Sequence, residues 1–328
     1  MKYSQNDKAL EKLESSDVKK AFQEIGKDPT KPTNSSDKQQ FEIKQTVSTN
    51  EQVKEKAKAD GKPYVAMSFA IICHPDDHTY LPDCVNSIPA GSEIVIIHTE
   101  IQKHIGSFET IPQPEYIKEQ TEYLDNGTCV KEYLYRFYSK TGHITSFSEA
   151  RNIALDHVTR EWVFSLDADE HAVISQTDLK TILSIGNTDK KIGGFIVGNI
   201  SMTPTGEGMA WTPTKQCRIF RNLPENRWER RCHEQIGVGI MRRGGNMVDS
   251  TVAIKHVGYC KQDKPALIKK HLRNVYLMML DFGEVKEYED LFSMENKTAL
   301  AQLGGSLSVL IQNKSLPDFG VNINDYNT

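Results

Sequence analysis

The chain has no long hydrophobic run. Nowhere in its 328 residues does an uninterrupted apolar stretch approach the roughly 18 residues that a membrane span needs. The opening Met1-Lys2-Tyr3-Ser4-Gln5 is polar and lacks the apolar segment of a signal peptide. No CxxC pair is present. The cysteines Cys73, Cys84, Cys129, Cys217, Cys232 and Cys260 are scattered along the chain. A disulfide framework suits a short secreted chain, which this is not. The expectation is therefore a cytoplasmic protein with reduced, mostly buried thiols. There is no excess of positive charge either. A net charge of -4 gives no global attraction to nucleic acid or an anionic membrane, and leaves room only for a local basic groove. No internal repeat of fixed period is visible.

What is present suffices for a sizeable core. Hydrophobic residues make up 38% and charged residues 26%, which argues against wholesale disorder and fits one large domain with appendages. Residues 1–60 stand apart. They are rich in Lys, Glu, Asp, Ser and Gln, too polar to hold a core of their own. Leu10, Leu13, Val18, Phe22 and Ile25 allow a short amphipathic helix or two, and Asp28 to Lys38 reads as a linker.

The core begins at Tyr64. Val65 to Ile72 is nearly all apolar, as expected of a strand buried on both faces, and Glu93 to His98 repeats the pattern. A helix around Leu81 to Ile88 between them implies a parallel sheet with a right-handed crossover. Residues 102–140 predict a loop plus a strand near Tyr133 to Phe137. Ser146 and Glu149 have capping-box spacing, and Ala150, Ile153, Ala154 and Val158 follow at helical intervals. Trp162 to Leu166 then reads as a strand running directly into Asp167. Further strands are expected at Gly194 to Ile200, Lys215 to Phe220 and Thr251 to Val257. From Asp263 the pattern turns helical, with Pro265 suited to a first turn and Gly283 to a C-terminal cap. A second helix is expected around Leu291 to Leu303. These elements define an α/β domain over residues 61–260 with a mostly parallel mixed sheet. A polar N-terminal extension precedes it and a helical region, 261–328, follows.

The strongest chemical signal is Asp167-Ala168-Asp169-Glu170. It falls at the carboxyl end of a predicted buried strand, where open parallel sheets place ligands. Clustered carboxylates repel one another unless a cation or solvent relieves them, and a divalent ion bridging to a diphosphate would do so. An acidic strand-to-loop turn with an Asx cap is the plainer alternative.

The neighbouring blocks narrow the choice. Phe147-Ser148-Glu149-Ala150-Arg151-Asn152-Ile153-Ala154-Leu155 precedes Leu166-Asp167-Ala168-Asp169-Glu170. This order resembles the family 2 glycosyltransferases of the GT-A fold, a Rossmann-like nucleotide-sugar-binding domain. Arg218-Ile219-Phe220-Arg221-Asn222, Cys232-His233-Glu234, His256-Val257-Gly258-Tyr259 and Arg273-Asn274 are similar to later blocks of one branch. That branch includes lipopolysaccharide-core glycosyltransferases and peptide S-glycosyltransferases. Cys232 departs from the usual Ile or Val before His-Glu. The resemblance spans roughly residues 64–282.

The resemblance implies an inverting transfer of a hexose from a nucleotide sugar, UDP-sugar first among them, to a glycan, peptide or modified-nucleobase acceptor. It implies Mn²⁺ or Mg²⁺ on Asp169, with Asp167 beside it on the metal or the donor ribose, and His256 as a competing metal ligand. Asp76, Glu100, Arg151 and Arg218 are implied at the donor, although Thr99-Glu100 departs from the family's usual acidic pattern. Glu234 is the implied general base, with His233 the alternative. Arg221, Arg230 and Arg231 are further candidates for the donor phosphates, since a guanidinium fork suits them. Trp211 and Trp228 are candidates for the acceptor side, with core packing as the plainer role. A nucleobase acceptor would call for a basic, aromatic-lined groove, and the basic pairs Lys269-Lys270 and Arg242-Arg243 are too small to decide for or against one. Homo-oligomerisation stays open.

Two other readings stay open. His74-Pro75-Asp76-Asp77-His78 resembles the signature of zinc-dependent N-acetyl-sugar deacetylases, with His78 replacing a Glu and no later histidine block. A GT-A domain that has lost activity and persists as a binding module is the second.

Overall fold

A computed structural model describes residues 50–104, 111–139, 143–202 and 214–258, together with residues 273, 274, 277, 278 and 281. The expected helices near Leu10 to Ile25 and Leu291 to Leu303, the caps at Pro265 and Gly283, and Trp211 and Cys260 lie outside the described residues.

Apolar continuity makes the central strands. β1, Met67–Cys73, is buried along its whole length. β2, Glu93–Lys103, is buried through Thr99 and then emerges. β4, Cys129–Ser139, and β5, Trp162–Asp167, complete a parallel core in which β2 pairs with β4 and β1, and β1 pairs with β5. β3, Glu115–Tyr123, runs antiparallel on the outer side of β4. It carries Lys and Glu along much of its length, a common way to keep an edge strand from pairing with another chain. β6, Glu170–Val173, β7, Ile192–Ser201, β8, Thr214–Arg221, and β9, Asn246–His256, finish a nine-stranded sheet ordered β3-β4-β2-β1-β5-β8-β7-β9-β6. The mixed α/β sheet with a parallel centre is the architecture expected.

Helices cover both faces. α1, Asn50–Ala59, precedes the sheet. On one face, Leu81, Cys84 and Val85 of α2, Leu81–Asn86, and Leu179 and Ile182 of α4, Gln176–Thr188, join Met67, Phe69, Ile71 and Trp162 in one core. On the other, Ala150, Ala154 and Leu155 of α3, Phe147–His157, and Ile240 of α5, Gly237–Arg242, pack against Ala70, Val95, Val163 and Phe220. The small side chains Ala150 and Ala154 let α3 lie close on the sheet. The Ser146 hydroxyl accepts the Glu149 N–H at 3.2 Å, so that half of the expected capping box is formed. The full reciprocal box occurs instead at Ser175 and Asp178, ahead of α4.

The strand order fixes where a ligand can sit. From β1 the chain moves to β2 on one side, while β5 takes the place on the other. This is a topological switch point, and the crevice outside the carboxyl ends of β1 and β5 is the place such sheets offer to ligands. No helix of the described residues is long and apolar enough to cross a membrane, which says nothing of a β-barrel. Cys73, Cys84, Cys129, Cys217 and Cys232 are free thiols, and all but Cys217 are buried.

Candidate active site

A cavity of about 1060 Å³ opens over the switch point. The ends of β1 and β5, the N-terminal turn of α3, the loop ending at Ile236 and the end of β9 form its walls. Asp76, Asp77, Arg151, Asp167, Asp169, Arg218, Trp228, His233, Glu234 and His256 all line it.

Arg151 is the hub. It is 3% exposed, and its guanidinium binds three partners: Nε donates to Glu234 Oε1 at 2.5 Å, Nη1 to Ser165 Oγ at 2.9 Å and Nη2 to Asp167 Oδ1 at 2.6 Å. The ring of Trp228 lies 5.1 Å from its centre. A buried guanidinium is costly unless its donors are satisfied, and these partners satisfy them. The next residue, Asn152, clamps the Trp228 backbone, donating to its carbonyl at 3.0 Å and accepting its N–H at 2.8 Å. Thus the Ala-Arg-Asn stretch of α3 fixes both the acidic turn and the loop that carries Glu234.

Burial pushes the Asp167 carboxyl up, but the Arg151 and Arg218 guanidiniums outweigh it and hold it below the usual range. Glu170 is 1% exposed and does not line the cavity. It accepts the Asp167 N–H at 2.9 Å and Arg218 Nη2 at 3.1 Å, so it braces the acidic turn from beneath. Burial raises its pKa, and Arg218 offsets this only in part. Arg218 Nη1 is buried without a partner on the cavity wall, a donor suited to an anionic ligand.

Asp169 faces the cavity from the far side of the turn. His256 Nε2 lies 3.0 Å from its Oδ2, and the Val257 N–H donates to its carbonyl at 2.9 Å. A Cβ at Gly258 would overlap the Asp169 carboxylate, which could keep its present position only beside glycine. Asp77 is pushed up to about 7, first by burial and then by the Asp169 and Asp167 carboxylates. This cluster of carboxylates, with an oxygen and a nitrogen donor already together at Asp169 and His256, fits a divalent cation. Asp167 directs its Oδ1 to Arg151 Nη2 at 2.6 Å.

The loop between β8 and α5 is closed by an antiparallel bridge, Glu229 with Gln235. Arg230 and His233 have φ of 74° and 53°. Left-handed backbone at non-glycine residues stores strain and clusters at functional sites. The Phe147 N–H donates to the Arg231 carbonyl at 2.8 Å, tying this loop to α3.

The structure places several of the expected residues as follows. Glu100 is not on the cavity wall: its Oε1 accepts Arg136 Nε at 2.9 Å across the β2–β4 pair, on the sheet face shared with His98. Arg221 lies at the opposite end of β5, donating to the Ile192 carbonyl at 2.9 Å with its guanidinium 4.5 Å from the Trp162 ring. The Arg231 backbone N–H and side chain both turn to Asp281. Neither Arg230 nor Arg231 lines the cavity, whereas Arg273 does, over the Phe147 ring. Trp228 lines the cavity, is 5% exposed and packs its ring against the Arg151 guanidinium. His74 Nδ1 accepts the Asp76 N–H at 3.2 Å as the cap of a short 3-10 turn, Pro75–Asp77, and lies 3.4 Å from Asp76 Oδ2.

No family model and no curated protein matches this chain. Among solved structures it is similar to S. aureus TarS 1-349, at 12% identity over 78% of this chain and 75% of that one, with a TM-score of 0.33. It is likewise similar to TarS 1-349 in complex with UDP-GlcNAc, at 13% identity over 75% and 72% of the two chains and a TM-score of 0.35.

Proposed function

We propose that this chain is a glycosyltransferase of the GT-A type that takes its sugar from a nucleotide-sugar donor, with a UDP-sugar the first to test. The supporting observation is the meeting of Asp167, Asp169, Arg151, Arg218 and Glu234 around one cavity at the switch point. Asp169, with His256 beside it, would hold the divalent cation, which neutralises the leaving diphosphate when bound. Arg218 aims an unpartnered N–H into the same space, and Arg273 adds a further positive charge to the wall. Asp167, held ionised by Arg151, is placed to accept hydrogen bonds from the donor ribose.

Glu234 is the proposed base. In an inverting displacement the acceptor's heteroatom bonds to the anomeric carbon as the bond to the diphosphate breaks, and the heteroatom's proton passes to Glu234. The ion pair with Arg151 orients the Glu234 carboxylate. His233, on a strained backbone in the same loop, is the alternative base.

The deciding test is turnover of a nucleotide-sugar panel with Mn²⁺ or with EDTA. The expected result is slow hydrolysis of one donor with Mn²⁺, its loss in EDTA, and its loss in Asp169→Asn. No binding or turnover of any nucleotide sugar would sink the reading. Zinc-dependent acetate release from an acetylated sugar would favour a deacetylase. Glycan binding without donor consumption would favour a binding module.

A further inference from the structure

A second candidate metal site lies behind the cavity, on the α2 and α4 face of the sheet. Cys73 ends β1, and His98 is its register partner on β2. His78 follows the short turn at Pro75–Asp77 and reaches back over them. One ligand atom from each of Cys73, His78 and His98 lies within 4.8 Å of the others. His78 Nε2 and His98 Nδ1 are 3.4 Å apart, with the rings nearly perpendicular at 82°. Two imidazole nitrogens on one tetrahedral zinc are separated by about 3.3–3.4 Å, given zinc–nitrogen bonds of about 2.0–2.1 Å. The observed spacing needs no rearrangement to meet that requirement.

The surroundings favour ligation. His98 is 2% exposed, and its Nε2 lies 2.8 Å from Oε2 of the buried Glu132. A proton on Nε2 shared with that carboxylate leaves the Nδ1 lone pair facing His78 and Cys73. This is the carboxylate–histidine–metal arrangement that fixes a ligand's tautomer and raises its basicity. The Cys73 thiol has one weak contact, to the His74 carbonyl at 3.6 Å. Burial and the nearby Asp77 carboxylate push that thiol up, and a divalent cation supplies the positive charge a thiolate there requires. One sulfur and two imidazoles form a donor set suited to zinc and poorly suited to magnesium or calcium.

We infer that Cys73, His78 and His98 bind a zinc ion, with water from the adjoining cavity in the fourth position, and that this ion anchors the turn carrying Asp76 and Asp77. It is separate from the cation proposed at Asp169 and independent of the glycosyltransferase reading. The Glu132 carboxylate positions His98 and is not itself a ligand.

The test is metal content of the full chain purified with zinc and dialysed against a weak chelator. Wild type is expected to keep one zinc per chain. Cys73→Ser and His98→Asn are each expected to lose it, while Asp169→Asn and Cys217→Ser keep it. Cobalt(II) titration of the zinc-free wild type supplies a readout that does not depend on variants folding. It is expected to give a thiolate-to-cobalt charge-transfer band and the intense visible bands of a tetrahedral ion. Absence of retained zinc in wild type, or of the charge-transfer band, overturns the proposal. So does zinc loss in Asp169→Asn with retention in Cys73→Ser.

Discussion

At the scale of single residues, Arg151 sets the behaviour of the acidic site. Its three hydrogen bonds join residues far apart in sequence, so the role of each partner depends on the others. Glu234→Gln keeps one oxygen for Arg151 but removes the basic carboxylate. Transfer should fall by roughly 10²–10⁴-fold, the usual range for a lost general base, with donor affinity nearly unchanged. A fall in donor affinity that accounts for the whole loss would assign Glu234 to binding. Gly258 offers an independent handle on Asp169. A methyl group there overlaps the Asp169 carboxylate and must displace it from His256. Gly258→Ala should weaken Mn²⁺-dependent donor binding by about 10-fold or more while far-ultraviolet circular dichroism stays that of wild type. An unchanged Mn²⁺ response would mean that Asp169 does not hold the cation. The sequence marks Gly258 only as part of a block, because the residue it touches lies 89 positions upstream by number.

At the scale of elements, α3 is the best-read segment and also carries a pH dependence. Its Ser146 cap, buried alanines and Arg151 follow from helical spacing. What spacing does not reveal is the far end, where His157 stacks on Tyr133 at 3.7 Å between centroids and meets the Tyr135 hydroxyl at 2.9 Å. A helix C-terminus favours a protonated histidine, yet burial wins, with Lys131 adding to it, and the pKa falls to about 4. Unfolded, the ring titrates near 6.5. Between these values the unfolded chain binds a proton that the folded chain does not, so stability falls as pH drops from about 6.5 to 4 and is fully present above that window. His157→Phe keeps the stacking and removes the titration. It should flatten urea-unfolding free energy across this range by about 1–2 kcal/mol, allowing for screening of a half-buried ring. A slope as steep as wild type would place the titration elsewhere. β3 shows the opposite case of legibility. Its charged sequence gives no apolar run, and it is a strand because β4 offers it hydrogen-bonding partners. Edge strands of this kind are set by pairing and escape a reading based on periodicity.

At the scale of the whole molecule, the parallel core was legible because strands buried on both faces leave long apolar runs. The order in which those strands sit was not, since it depends on contacts between segments as distant as β1 and β5. The same limit explains why the sequence does not separate the β8 arginines. Arg218 and Arg221 lie close together on β8, yet one reaches the cavity and the other the opposite end of the sheet. It also explains why Cys73 and His98 did not emerge as a pair: they meet only through the β1–β2 register. Because the cavity is walled by the ends of β1, β5 and β9 and by the loop before α5, a ligand filling it contacts both halves of the sheet. Binding to the folded state alone adds about 2.7 kcal/mol at a ligand concentration of about 100 times Kd. At about 2–4 °C per kcal/mol for a domain of this size, a nucleoside diphosphate with Mn²⁺ should raise Tm by about 5–10 °C. EDTA should abolish most of that rise, and Asp169→Asn should reproduce the effect of EDTA. A rise that is equal with and without EDTA would place the nucleotide on Arg218 and Arg273 alone and remove the cation from the donor site.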